Sequence, residues 1–231
     1  MKAYRKMLAL KSCAVLLCAC IMAFYLTEAQ GYGLYQCIQV VFGGRPQYFA
    51  AQKAAFFMFS ILVQFFCADT LVYFVKNHGY LAVRYGSRGK TATVICLRLV
   101  YDSLILSVVL SCGIALGNRL GNNCFDPVSY CSLFWLWFRC ALLCLILILL
   151  QGILLTRLTP AGTFAVISAA VICISFASCR LPGPVTVLPV GAGCSSETFI
   201  QAAADAVVIC AEIAVLRSLL KKELWICQRS Y

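Results

Sequence analysis

Six charged side chains stand inside stretches of this 231-residue chain that are otherwise apolar: Asp69, Arg98, Asp102, Arg139, Asp205 and Glu212. A charge in hydrocarbon is expensive, so each marks a proton relay, a polar path or a clasp between helices. Arg98 and Asp102 are four residues apart, a spacing at which side chains face each other on a helix. Asp205 and Glu212 are seven apart and share a face two turns apart. At about 1.5 Å of rise per residue, Asp69 and Arg98 lie at similar depth from the inner end of their segments. Arg139 and Asp205 match in depth from the outer end. The expectation is structural pairing: Arg98 with Asp69 or Asp102, and Arg139 with Asp205. Four acids and two arginines make no ion-coupling motif.

The other reactive residue types do not converge on catalysis. There is one histidine, His78, and it lies in a polar loop. No HExxH, no Ser/His or Cys/His arrangement and no CxxC pair is present. Most of the sixteen cysteines, among them Cys18, Cys67, Cys96, Cys140, Cys144, Cys173 and Cys210, fall in apolar runs, where Cys behaves as a small hydrophobe. No catalytic, cofactor or metal site is expected, and the chain is read as a non-enzyme. Cys124 and Cys131 share one predicted outer loop, and Cys179 and Cys194 another. An oxidising exterior permits disulfides there, and free thiols are the alternative.

These residues must be positioned by membrane helices. The chain is 63% hydrophobic and 12% charged, against about 45–50% and about 25% in soluble domains. Runs of about 20 apolar residues, the length that crosses a bilayer as a helix, recur throughout. The fold class is all-α: one polytopic domain over 1–231 with six spans, at 7–26, 54–75, 91–116, 132–155, 161–178 and 198–219. Thr159-Pro160 is a helix start, with Thr as the cap and Pro in the first turn. The halves do not read alike, so no inverted repeat is assigned. The polar segments are too short for a nucleotide-binding or catalytic domain.

The net charge of +11 reports orientation rather than nucleic-acid binding, because cytoplasmic loops are enriched in Lys and Arg. With the N-terminus inside, the cytoplasmic segments hold Lys2, Arg5, Lys6, Lys11, Lys76, Arg84, Arg88, Lys90, Arg157, Arg217, Lys221, Lys222 and Arg229. The outer segments hold only Arg45, Lys53, Arg119 and Arg180. Both termini are therefore expected in the cytoplasm. The first span has the basic start and apolar middle of a signal peptide, but Thr27-Glu28-Ala29 is a poor cleavage site. The charge bias favours its retention.

The main cytoplasmic loop, HGYLAVRYGSRGK from His78 to Lys90, is then the natural docking place for a cytoplasmic partner. Tyr80 to Val83 form one amphipathic turn, and Gly86-Ser87 break it. Arg84, Tyr85, Gly86, Ser87 and Arg88 compose an Arg-x-Gly-Ser-Arg loop between spans two and three. In a six-span chain of this length, that loop resembles the permease subunits of ABC-2-type transporters. The likeness is to the small Gram-positive permeases of bacteriocin and lantibiotic export or immunity. It covers the whole chain in layout and about five residues in motif.

The resemblance implies an ATP-driven exporter of a peptide or amphipathic small molecule in the bacterial cytoplasmic membrane. Its partners would be a separate ABC ATPase docked on Arg84–Arg88 and a second permease, identical or similar. Any ATPase activity would belong to that partner. The resemblance also implies a re-entrant hairpin over 179–197. The alternative from another class is a multi-pass binding or helper subunit without ATP coupling, such as a vitamin-capturing subunit.

Overall fold

A computed structural model of the chain describes residues 2–41, 49–121, 130–177 and 196–227. Eight helices and no strands occur among them: α1 Lys2–Gln30, α2 Leu34–Val41, α3 Phe49–Lys76, α4 His78–Arg84, α5 Arg88–Gly121, α6 Tyr130–Leu155, α7 Pro160–Ala177 and α8 Ser196–Cys227. In hydrocarbon every backbone N–H and C=O must be satisfied within its own segment, which leaves long apolar runs no alternative to helix.

Four helices are long and apolar enough to cross a membrane, over Leu8–Gln30, Ala54–Phe74, Gly89–Gly121 and Trp137–Leu155. The apolar part of α7, Pro160–Cys173, is shorter, and α8 carries Asp205, Glu212 and Arg217 along its length. The outward faces are apolar, with Leu10, Leu17, Ile21, Phe65, Leu97, Phe134, Val166 and Val207 exposed. Lipid, not water, is the solvent such surfaces fit, and the chain is a multi-helix membrane protein.

The helix ends follow from local chemistry. Gly31 at φ +66° closes α1, its N–H donating to the Thr27 carbonyl at 2.8 Å. Glycine takes this left-handed conformation without a Cβ clash. Thr159 caps α7 through an N–H···O bond from Gly162 to its Oγ1 at 3.2 Å. Two elements were not expected. α2 is a short amphipathic helix inside what reads as an outer loop, and it buries Cys37, Ile38, Val40 and Val41. α1 also runs on past the predicted end of the first span.

α6 sits at the centre and packs on α3, α5, α7 and α8, while α1 lies along α5. The α1–α5 seam is made of small residues. Gly113, Gly117 and Gly121 recur every four residues on α5 and meet Ala19, Ala23 and Thr27 on α1. A Cβ on Gly113 would stand 2.7 Å from the Leu16 carbonyl oxygen, and one on Gly117 would overlap the Cys20 carbonyl. Lipid chains are as apolar as Leu, so helices associate in a bilayer by van der Waals contact and hydrogen bonds. Backbone-to-backbone approach of this kind is how α1 is held. Elsewhere the core is filled by large side chains, including Phe59, Phe66, Leu99, Leu106, Leu110, Ile148 and Leu149.

Candidate functional site

The predicted docking loop is an ordered element. α4 is anchored by Leu81, which is buried, while Tyr80, Val83, Arg84 and Tyr85 project outward. Arg84 is in the last turn of α4, where a cation complements the helix dipole. The chain then reverses through Gly86 at φ +72°, with a weak Gly86 N–H to Val83 carbonyl bond at 3.3 Å. Ser87 has a role of its own. Its Oγ accepts from the Lys90 N–H at 3.2 Å, so it caps α5. Arg88 is the first residue of α5. α4 packs on both α3 and α5, so a force on this short helix is delivered directly to two long ones. Arg217 on α8 reaches the same end of the bundle, donating to Thr93 Oγ1 at 3.1 Å.

Within the helices, three acids each meet a base. On α5, Arg98 Nε stands 3.1 Å from Asp102 Oδ1, with the Asp102 side chain 1% exposed, and its guanidinium lies 5.0 Å from the Tyr101 ring centroid. Arg139 Nη2 on α6 stands 3.6 Å from Asp205 Oδ2 on α8. Arg98 thus takes Asp102, while Asp69 goes to a residue not considered for it. Lys11 Nζ on α1 stands 2.5 Å from Asp69 Oδ2 and donates to the Phe65 carbonyl at 2.9 Å. Lys11 was counted with the cytoplasmic charges. Its long stem lets a residue rooted within α1 carry its ammonium to α3. Glu212 differs from the other acids: among the described residues its buried Oε2 has neither a hydrogen-bond donor nor a salt-bridge partner.

Each matched pair neutralises a charge, and two of the three also tie separate helices together. That is the chemistry of a clasp. A relay would need titratable groups in a connected row, and the pairs instead lie on different helix contacts: α1–α3, within α5, and α6–α8. Among the described residues no cluster of three or more potential metal ligands occurs. Cys67, Cys96, Cys140 and Cys144 are free thiols. Residues 179–195 of the expected hairpin over 179–197, and the loop cysteines Cys124, Cys179 and Cys194, lie outside the described residues, while Ser196 and Glu197 begin α8. Cys131 is the second residue of α6.

Several polar contacts escaped the sequence. Asn118 on α5 donates from Nδ2 to Thr27 Oγ1 and to the Tyr32 carbonyl, both at 2.9 Å. Thr27 Oγ1 in turn donates to the Ala23 carbonyl at 2.9 Å. This buried knot fastens α1, the α1–α2 turn and α5. Gln151 on α6 donates to the Gln64 carbonyl on α3 at 3.3 Å. The four-residue glycine spacing was the readable signal for the α1–α5 seam. For Asn118, Gln64 and Gln151 the signal was a lone amide in an apolar run. A small apolar cavity of about 310 Å³ opens between α2, α5 and α6, lined by Leu34, Ile38, Ser111, Ala115, Phe134 and Trp137. No protein-family model matches this chain, and comparison with curated proteins and with solved structures finds no match.

Proposed function

We propose that this chain is the membrane-spanning permease subunit of an ATP-driven exporter of the ABC-2 type. In this reading α7 and α8 complete six spans, both termini face the cytoplasm, and the subunit pairs with a second permease in a bacterial cytoplasmic membrane. The cargo is a peptide or an amphipathic small molecule. The observation that carries the reading is α4: a short helix anchored by Leu81, braced on α3 and α5, with Tyr80, Val83, Arg84 and Tyr85 turned outward. An ATPase that moves on nucleotide hydrolysis needs a rigid handle on helices in the bilayer. The exposed Arg84 supplies charge-assisted hydrogen bonds to acidic or carbonyl groups on it.

The test is co-purification of the chain with an ATPase of its own operon. Arg84→Glu with Arg88→Glu adds like-charge repulsion and should abolish the association, a cost of about 2–5 kcal/mol, while membrane insertion is retained. Arg84→Lys with Arg88→Lys separates docking from mere orientation, because Lys keeps the charge but loses the planar fork. A Lys double variant that still binds ATPase and still transports would remove the main support for this reading. Orientation is checked apart from coupling: reporter fusions after Tyr231 and within 122–129 should report opposite sides of the membrane.

A further inference from the structure

At the α4 end of the bundle, α8 meets α5 through a charged side chain. Arg217 Nη2 donates to Thr93 Oγ1 at 3.1 Å, and the Thr93 hydroxyl donates in turn to the Gly89 carbonyl at 3.0 Å. The guanidinium is therefore tethered to the start of α5. Lys90 is three residues before Thr93, a spacing at which side chains are neighbours on a helix surface. Lys90, Thr93 and Arg217 are all exposed. Two cations thus converge on one hydroxyl at the surface of the bundle.

Among the described residues neither cation has a counter-ion: the salt bridges there are those of Lys11, Arg98 and Arg139. Glu212 shares α8 with Arg217, but five residues at 3.6 per turn carry it about 140° round the helix, and its Oε2 is buried. The first turn of α5 holds no acid. Two like charges side by side repel, and an anion between them relieves both.

Depth names the carrier of that anion. The 34 residues of α5 rise about 51 Å, against about 30 Å of hydrocarbon, so its ends emerge among the headgroups. Thr93 is about 17 Å from the middle of α5, and Lys90 about 22 Å. With α5 centred in the bilayer, hydrocarbon ends at about 15 Å and the headgroups at about 20–22 Å. Lys90 and the Thr93-bound guanidinium therefore stand in the headgroup layer. Deeper on the same face of α5, at four, eight and eleven residues from Thr93, follow Leu97, Tyr101 and Leu104, all exposed.

A cation pair at headgroup level, with an apolar row beneath it, fits a molecule with an anionic head and hydrocarbon tails. We infer that Lys90, Thr93 and Arg217 form a site for the headgroup phosphate of an anionic phospholipid, with an acyl chain along Leu97, Tyr101 and Leu104. Arg offers a phosphate two parallel N–H donors, and Lys adds a compact charge. A zwitterionic lipid carries its own ammonium and gains less from two cations. The inference goes beyond the permease reading and does not depend on it.

The experiment is native mass spectrometry of the full chain in detergent, titrated separately with dioleoyl phosphatidylglycerol and dioleoyl phosphatidylcholine. Each cation near a lipid surface contributes about fivefold in affinity, so the first phosphatidylglycerol should bind at least about tenfold more tightly than the first phosphatidylcholine. Lys90→Gln with Arg217→Gln should remove most of that preference. Arg157→Gln with Lys6→Gln deletes the same charge elsewhere and should leave it intact. Inorganic phosphate at the same concentration should not displace the lipid, because it has no chain to lay on α5. Equal binding of the two lipids by the wild-type chain would overturn the site. So would an unchanged preference in the Lys90/Arg217 variant, or an equal loss in the Arg157/Lys6 variant, which would mark diffuse surface charge. Displacement by phosphate would overturn the lipid assignment. If the Lys90/Arg217 variant fails to insert, Arg217→Gln alone decides, since an unchanged preference there removes Arg217 from the site.

Discussion

The two sides of this bundle hold together by opposite means. On one side α1 lies against α5 with almost nothing between the backbones: Gly113 and Gly117 admit the Leu16 and Cys20 carbonyls, and Gly121 meets the Thr27 side chain. One buried knot at Asn118 closes the end. On the other side, α3, α6, α7 and α8 meet through full-sized side chains and through polar groups: Gln151 with Gln64, and Arg139 with Asp205. In a bilayer there is no hydrophobic force to separate the two strategies, since lipid solvates an apolar helix as well as a neighbour does. Close backbone contact stabilises by dispersion summed over many atoms and tolerates no insertion. Polar contact stabilises by a few bonds and tolerates adjustment, provided every partner is present.

That contrast predicts which substitutions hurt on which side. The largest effect belongs to the polar side. Asp205→Leu removes the carboxylate that stands 3.6 Å from Arg139, whose side chain is 4% exposed. The loss should be about 3–5 kcal/mol, seen as a drop in thermal stability in detergent. Arg139→Leu together with Asp205→Leu should recover most of it. A double variant no more stable than either single would mean that the 3.6 Å contact is not a clasp.

The dry side is probed by volume. Gly117→Ala should cost about 1–3 kcal/mol through overpacking. Gly113→Ala should cost less and Gly121→Ala least, following the order of the clearances at the three positions. Equal effects at all three in a melting series would show that α1 and α5 can simply move apart. The smallest effect is again polar. Gln151→Leu removes one hydrogen bond to the Gln64 carbonyl and should shift stability by only about 0.6 kcal/mol, the average for such bonds in membranes. A loss of several kcal/mol there would make the glutamine contact a lock comparable to the glycine seam and erase the distinction.

Much of this architecture was readable from composition. Each predicted apolar stretch falls inside an observed helix to within one residue: α1, α3, α5, α6, α7 and α8. The break at Gly86-Ser87 separates α4 from α5 where the loop reading put it. The 1.5 Å rise placed Arg139 level with Asp205, and the four-residue spacing placed Arg98 beside Asp102. α2 was not readable, because eight residues in a mixed polar stretch are too few for periodicity to speak. Ser87 was read as part of a docking motif, and its capping bond to Lys90 emerged only once α5 was seen to begin at Arg88.

The chain's order of residues settles where helices start and stop and how deep each charge lies, because both depend on backbone hydrogen bonding and on position along one axis. It does not settle which way a helix faces. In a soluble protein the wet side of a helix is polar and the buried side apolar, and the pattern names the face. Here lipid and core are both apolar, so Leu97 on the outside and Leu99 in the core look alike in sequence. The rotation of each helix about its axis, and with it the identity of its partners, is decided by packing in three dimensions. That is why Asp69 belongs to Lys11 rather than to Arg98. For the same reason Gln151 on α6 and the Gln64 carbonyl on α3, 87 residues apart in sequence, meet only in the folded bundle.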